Sequence, residues 1–142
     1  MTIARIIEGR HADILTCDVS VSVREAVALL ADRRIGALPV LEAGEVAGIF
    51  SERDVIYKLR DQGPAVLDRQ VGDVMTAPAV TVDPDTAVLA ALSLMTKRRI
   101  RHLPVVKGGK MIDFVSIGDL VKYRIDQVES EAQAMREYIQ TA

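Results

Sequence analysis

Tryptophan is missing from this chain, and aromatic residues make up only 4% of its 142 positions. The core must therefore be aliphatic, built from Val, Ile, Leu, Ala and Met. With 49% apolar residues the chain is well supplied for one, far above disordered composition. Cysteine occurs once, at Cys17, so no internal disulfide can form, which fits a reducing cytosol. A lone thiol in a strand-like stretch reads as a small buried hydrophobe rather than a nucleophile or metal ligand. Neither sign of charge dominates: 18 basic and 20 acidic residues give a formal net charge of −2. That balance offers no basic face for DNA or RNA, so no nucleic-acid partner is expected. No apolar run approaches the ~20 residues of a membrane span. Met1 to Arg10 lacks the long apolar core of a signal peptide. The expectation is a cytoplasmic chain without membrane association. Two histidines and one cysteine, scattered, do not make a zinc site. No Walker A loop or GxGxxG is present, and no spacing suggests a Ser/His/Asp set. The expected class is therefore not an enzyme.

What the chain does contain is a stretch written twice. Gly48-Ile49-Phe50-Ser51-Glu52-Arg53-Asp54 returns 65 residues later as Asp113-Phe114-Val115-Ser116-Ile117-Gly118-Asp119. Each copy is an apolar strand that runs into a serine, two more residues, an aspartate and an apolar helix. Ser-x-x-Asp at a helix start is a capping box, with Ser51 and Ser116 as N-caps. The same geometry also suits a ligand. A helix N-terminus offers free N–H groups and a positive dipole end to a phosphate. A carboxylate one turn in can accept from two vicinal hydroxyls, as on a ribose. The local pattern is compatible with both readings.

The offset is constant over about 45 residues, which marks a duplication. Ile14-Leu15-Thr16, read as a strand, is answered by Ala79-Val80-Thr81. Ser22-Val23-Arg24-Glu25 opens a helix to about Arg34, answered by Val88 to Arg99. Ala37 to Leu41, a turn at Ala43-Gly44 and Val46 to Phe50 form a hairpin, and Gly109 falls on Gly44. The helix after Ser51 is expected to end near Leu59, where Asp61-Gln62-Gly63-Pro64 breaks it. The fold class is α/β (α+β), with two β-α-β-β-α units. A unit of about 60 residues buries its surface poorly alone, so the two should pack around a pseudo-twofold axis. The boundaries read as 1–60 for the first unit with its arm, 61–71 for a linker, 72–124 for the second unit and 125–142 for a C-terminal helix. Ile3, Ile6 and Ile7 predict a short helix or arm that covers some other part. In the last helix, Val121, Ile125, Val128, Ala132, Met135 and Ile139 are spaced 4, 3, 4, 3, 4. That is a heptad seam, and it favours contact between two chains, a homodimer.

The duplicated unit, the Arg-Ile-x-x-Leu-Pro-Val segments (Arg34 to Val40, Arg99 to Val105) and the strand-end Ser-x-x-Asp resemble a tandem pair of CBS domains, the family named after cystathionine β-synthase. The resemblance runs from about Ile6 to Lys122 and omits the arm and the last helix. It implies a non-catalytic regulatory module that binds adenosyl compounds (AMP, ADP, ATP, NAD or S-adenosylmethionine) between the repeats and acts on an effector protein. An alternative is an interaction scaffold with empty clefts.

Carried over residue by residue, the resemblance implies two clefts. One combines Ser51, Asp54 and Ile49 with Val80, Thr81, Ile100, Arg101, His102 and Pro104. The other combines Ser116, Asp119 and Phe114 with Leu15, Thr16, Ile35, Gly36, Ala37 and Pro39. The aspartates would accept from ribose hydroxyls and the serines bond ribose or phosphate, while apolar strand residues sandwich the adenine. The clefts are unequal. Arg101 and His102 add donors to the first, one a fixed cation and one sensitive to pH. Arg98 and Arg99 read as helix-end cations that suit the dipole. Asp113 stands where the family usually has glycine. Strand alternation would turn it to solvent, yet it places a carboxylate near an anion site. His11 has no evident partner and is assigned no role.

Overall fold

The computed structural model describes residues 1–10 and 13–141. His11 lies outside the described residues. In chain order the elements are α1 (Ile3–Ile7), β1 (Cys17–Asp18), α2 (Val23–Arg33), β2 (Ala37–Glu42), β3 (Glu45–Ser51), α3 (Glu52–Gln62), a 3-10 turn (Gly63–Asp68), α4 (Val71–Val74), α5 (Val88–Arg98), β4 (His102–Lys107), β5 (Lys110–Ser116) and α6 (Ile117–Thr141). Local sequence explains most of the boundaries. Ser22 accepts from Glu25 N at 3.1 Å and starts α2. Arg34 and Arg99, both left-handed, end α2 and α5. The hairpin β2–β3 turns through Ala43 and Gly44, and β4–β5 turns through Gly108 and Gly109, all at positive φ. Two such residues make the turn that matches strand twist. Both hairpins slip register at the same point, Val40/Leu41 and Val105/Val106, as a duplication requires.

The first strand of each repeat differs from the sequence expectation. Parallel pairing to β2 occurs at Cys17 and Asp18, not at Ile14 to Thr16. In the second repeat only Val82 bridges to Val105, and Ala79 to Thr81 form no strand. The residues just before are drawn elsewhere. Thr76 forms an antiparallel bridge with Ile49 of the first repeat, so the chain from Thr76 onward is crossing between sheets when it passes Thr81.

Each repeat has its own aliphatic core. Cys17, Val23, Ala26, Leu30, Leu38, Val40 and Phe50 fill the first; Val82, Val88, Ala91, Met95, Leu103, Val105, Val115 and Leu120 fill the second. The sheets approach through β3 and β5.

Two segments exchange places. Ile3, at the start of the chain, is fully buried in the second core, while Val66, Val71 and Val74 complete the first. The docking bonds are copies of each other. Ile3 N donates to Thr86 O at 2.9 Å and Val71 N to Val21 O at 2.8 Å. Ala4 N donates to Pro84 O, and Gly72 N to Val19 O. So the arm grouped with the first unit packs on the second. The stretch read as a linker is structured and packs on the first, and α3 runs on to Gln62 before the 3-10 turn takes over. The last helix starts directly after Ser116, as the repeated Ser-x-x-Asp predicts, and α6 runs unbroken from Ile117 to Thr141.

Candidate functional site

Ser51 ends β3 and caps α3, because an extended residue with a short hydroxyl can accept from the first free N–H groups. The expected capping box is complete. Asp54 N donates to Ser51 Oγ at 3.3 Å, and Ser51 N donates to Asp54 Oδ2 at 2.9 Å. The other oxygen, Asp54 Oδ1, accepts from Thr76 Oγ1 at 2.9 Å. Thr76 is held there by two backbone bonds to Ile49, 2.9 and 3.0 Å long. This approach needs Gly48: a Cβ there would lie 2.6 Å from Thr76 O and 2.7 Å from Met75 Sδ.

The crossing segment, the N-terminus of α3 and the turn from α5 into β4 enclose about 460 Å³. That volume lies in the roughly 300–1,000 Å³ range of small-molecule pockets. Ile49, Ser51, Asp54, Val80, Ile100, Arg101 and His102 all line it. Thr81 is exposed outside it, and Pro104 is buried in β4. Gly36 and Ala37, expected in the other cleft, line this one. Strand pairing explains why. Ala37 sits opposite Ser51, and Glu52 N donates to Gly36 O at 3.0 Å, so both follow their own repeat's helix start. Arg98 and Arg99 also stand on the wall, as do Tyr57, Thr76 and Pro78. The sequence marks Arg98 and Arg99 as helix-end cations, and the fold places both on the cleft wall beside Arg101. Thr76 carries no sequence signal, because only tertiary structure brings it to Asp54.

The Ser116 side is built differently. The cap recurs, with Ser116 N donating to Asp119 Oδ2 at 2.9 Å and Asp119 N to Ser116 Oγ at 3.1 Å. But Arg10 reaches in. Its Nη1 lies 3.4 Å from Asp119 Oδ2 and its Nη2 lies 3.3 Å from Asp113 Oδ1. Asp113 is buried rather than turned to solvent, and its Oδ1 also accepts from Phe114 N at 2.7 Å. The burial is tolerable because the carboxylate is paired and hydrogen-bonded. Leu15 and Ile35 pack against the first core, and Thr16, next to Leu15 in the chain, is half-buried. Pro39 is buried in β2. Phe114 stacks on His102 at 5.2 Å between ring centroids.

Burial holds the His102 imidazole below its ordinary pKa of 6.5; Arg101 adds to this, while Asp119 and Glu52 oppose it. Burial thus favours the neutral ring of His102, which leaves Arg101 as the fixed cation of the two. The linkage sign is definite. Unfolded His102 binds its proton more readily, so its contribution to stability is full above about pH 6.5 and is lost as pH falls toward the folded value. Melting followed from about pH 7.5 to 5.5, across the range where histidine titrates, is expected to show a steeper loss for wild type than for His102→Gln. Parallel curves would contradict the assignment. Burial, with a smaller effect of Asp18, pushes the Cys17 thiol up to about 11, so it is not a thiolate at neutral pH.

Two linked β-α-β-β-α units with a capped serine–aspartate cleft between them define a class, and sequence comparison agrees with it. The CBS domain family model matches residues 10–61 and 71–126, and the chain belongs to that family. It is 41% identical over 140 residues to CBS domain-containing protein CBSX3, mitochondrial, of Arabidopsis thaliana, covering 94% of this chain and 68% of that one. A CBS-domain containing protein from Agrobacterium tumefaciens, 35% identical, superposes with a TM-score of 0.81 over 87% of this chain and 92% of that one. CBSX2, solved in complex with AMP, is 26% identical with a TM-score of 0.75, covering 90% and 98%.

Proposed function

We propose that this chain is a non-catalytic regulatory module that senses an adenine nucleotide in the cleft of Ser51 and Asp54 and passes the signal to an effector protein. The observation that carries the reading is the mixed lining of one cleft. Asp54, fixed by its cap, offers a carboxylate for ribose hydroxyls. Arg98, Arg99 and Arg101 line the same cleft and suit phosphates. Ile49, Val80 and Ile100 supply apolar surface for the base. The AMP held by the CBSX2 relative supports the ligand class. The Ser116 side is the weaker site, because the Arg10 guanidinium already takes the Asp119 carboxylate.

Calorimetry with AMP and ATP tests this. Asp54→Ala is expected to weaken both by about 1.5–3 kcal/mol, roughly 10- to 150-fold, the range for a hydrogen bond to a charged group. Arg101→Ala should weaken ATP more than AMP, and added salt should narrow the ATP advantage, since exposed charges are screened over about 8 Å. Unchanged affinity in Asp54→Ala would remove the ribose role. Nucleotide turnover would replace the sensor with an enzyme. Absence of any nucleotide effect on melting would favour the scaffold reading, because ligand at 100 times its dissociation constant adds about 2.7 kcal/mol.

A further inference from the structure

The outer face of α6 is apolar, and none of the described residues covers it. Val121, Ile125, Val128, Met135 and Ile139 are between 40% and 65% exposed. The opposite face is the one held by the body. Leu120 is buried, Tyr123 OH donates to Met1 Sδ at 3.8 Å, and Gln127 also contacts Met1. The arm therefore occupies one side of the helix and leaves the heptad seam pointing away.

The charges beside the seam select an occupant. With Ile125, Ala132 and Ile139 at position a and Val121, Val128 and Met135 at d, Arg124 and Glu131 fall at g, while Lys122, Glu129 and Arg136 fall at e. In a parallel, in-register pair, each g residue faces the e residue five positions on in the other helix. That places Arg124 beside the partner's Glu129, and Glu131 beside the partner's Arg136. Both pairs are opposite in sign, and symmetry repeats them. An antiparallel pair with the whole seam overlapped sets Glu129 against Glu129, Glu131 against Glu131 and Lys122 against Arg136. Every one of those is a like pair. None of the ion pairs among the described residues uses these side chains. Arg124 and Arg136 only donate to Gln127 and Gln133 on their own helix. Self-complementarity of this kind is what two identical helices need, and a different partner would not require it.

We propose that α6 pairs with the α6 of a second copy of this chain as a parallel, in-register two-stranded coiled coil. The two bodies then sit at the same end of the coil, with their nucleotide clefts in one assembly. The seam spans about two and a half heptads, short for an isolated coil, so association is concentration-dependent.

Sedimentation and cysteine cross-linking on the full chain test both parts. Wild type is expected to dimerise, and the double variant Ile125→Glu, Val128→Glu to be a monomer that melts like wild type diluted below its dissociation constant, since both positions are exposed. Arg124→Glu should raise the dissociation constant about tenfold by placing like charges together, and adding Glu129→Arg should restore it. Ile139→Cys reads orientation. In the parallel pair the two thiols meet and a disulfide dimer forms on mild oxidation. In the overlapped antiparallel pair they lie roughly 27 Å apart along the axis, far beyond disulfide reach. The native Cys17 is buried and does not compete. A monomeric wild type, a dimer that survives the double glutamate variant, or an Ile139→Cys dimer that does not cross-link would each overturn the proposal.

Discussion

Gly48→Asp is expected to lower folding stability by roughly 3–5 kcal/mol, the range for an uncompensated buried charge, and to remove nucleotide binding. The substitution writes into the first repeat the residue that the second already has at Asp113. The two surroundings differ. Asp113 is met by Arg10 at 3.3 Å, whereas the side chain nearest a Cβ at Gly48 is that of Met75, with its Sδ 2.7 Å away. Any Cβ at position 48 would also press to 2.6 Å from the Thr76 carbonyl, which is backbone and cannot swing away. The Ile49–Thr76 bridge must then break, and with it the hydroxyl that Thr76 gives to Asp54 at 2.9 Å and the wall that Pro78 and Val80 form. Adding Met75→Arg should recover part of the stability by pairing the new carboxylate, but not the binding, because the cleft would then hold an arginine as the Ser116 side does. Wild-type melting and affinity in Gly48→Asp would show that the close approach is not needed.

Ile3→Ala is expected to cost about 2–5 kcal/mol in denaturant unfolding, the range for truncating a buried Ile or Leu. Here Ile3 is fully buried among Val88, Met95 and Leu120 of the distant repeat, and its N–H is bonded to Thr86 O. The reciprocal substitution, Val71→Ala, removes fewer methyl groups from the equivalent place in the first core and should cost less. A loss below about 0.5 kcal/mol for Ile3→Ala, typical of surface sites, would mean the arm is not docked.

Much of this was legible because duplication doubles every local signal. The hairpins were placed from Ala43-Gly44 and Gly109, the helices from the 3.6-residue period and the caps from Ser-x-x-Asp. What failed were features that depend on what lies across the interface. Ala79 to Thr81 have strand-like composition, but tertiary bridging of Thr76 to Ile49 pulls that segment between the sheets. Ile3 and Val71 are similar apolar residues whose sequence neighbours do not reveal that each docks on the other repeat. Ser51 and Ser116 do stand at the starts of α3 and α6, each hydrogen-bonded with the aspartate three residues on. Gly36 and Ala37 moved to the first cleft because pairing with Ser51 and Glu52 binds them to their own repeat. Arg10 was invisible as a cleft residue, since nothing local links it to residues more than a hundred positions away.

A single calorimetric titration of ATP into wild type, Asp54→Ala and Asp119→Ala bears most directly on the central claim, that the Ser51–Asp54 cleft is the nucleotide site and the Ser116–Asp119 side is taken up by Arg10. The account predicts one principal site per chain in wild type, at least tenfold weaker binding in Asp54→Ala, and affinity close to wild type in Asp119→Ala. Two equal sites in wild type, or a loss of binding in Asp119→Ala with Asp54→Ala unaffected, would contradict it.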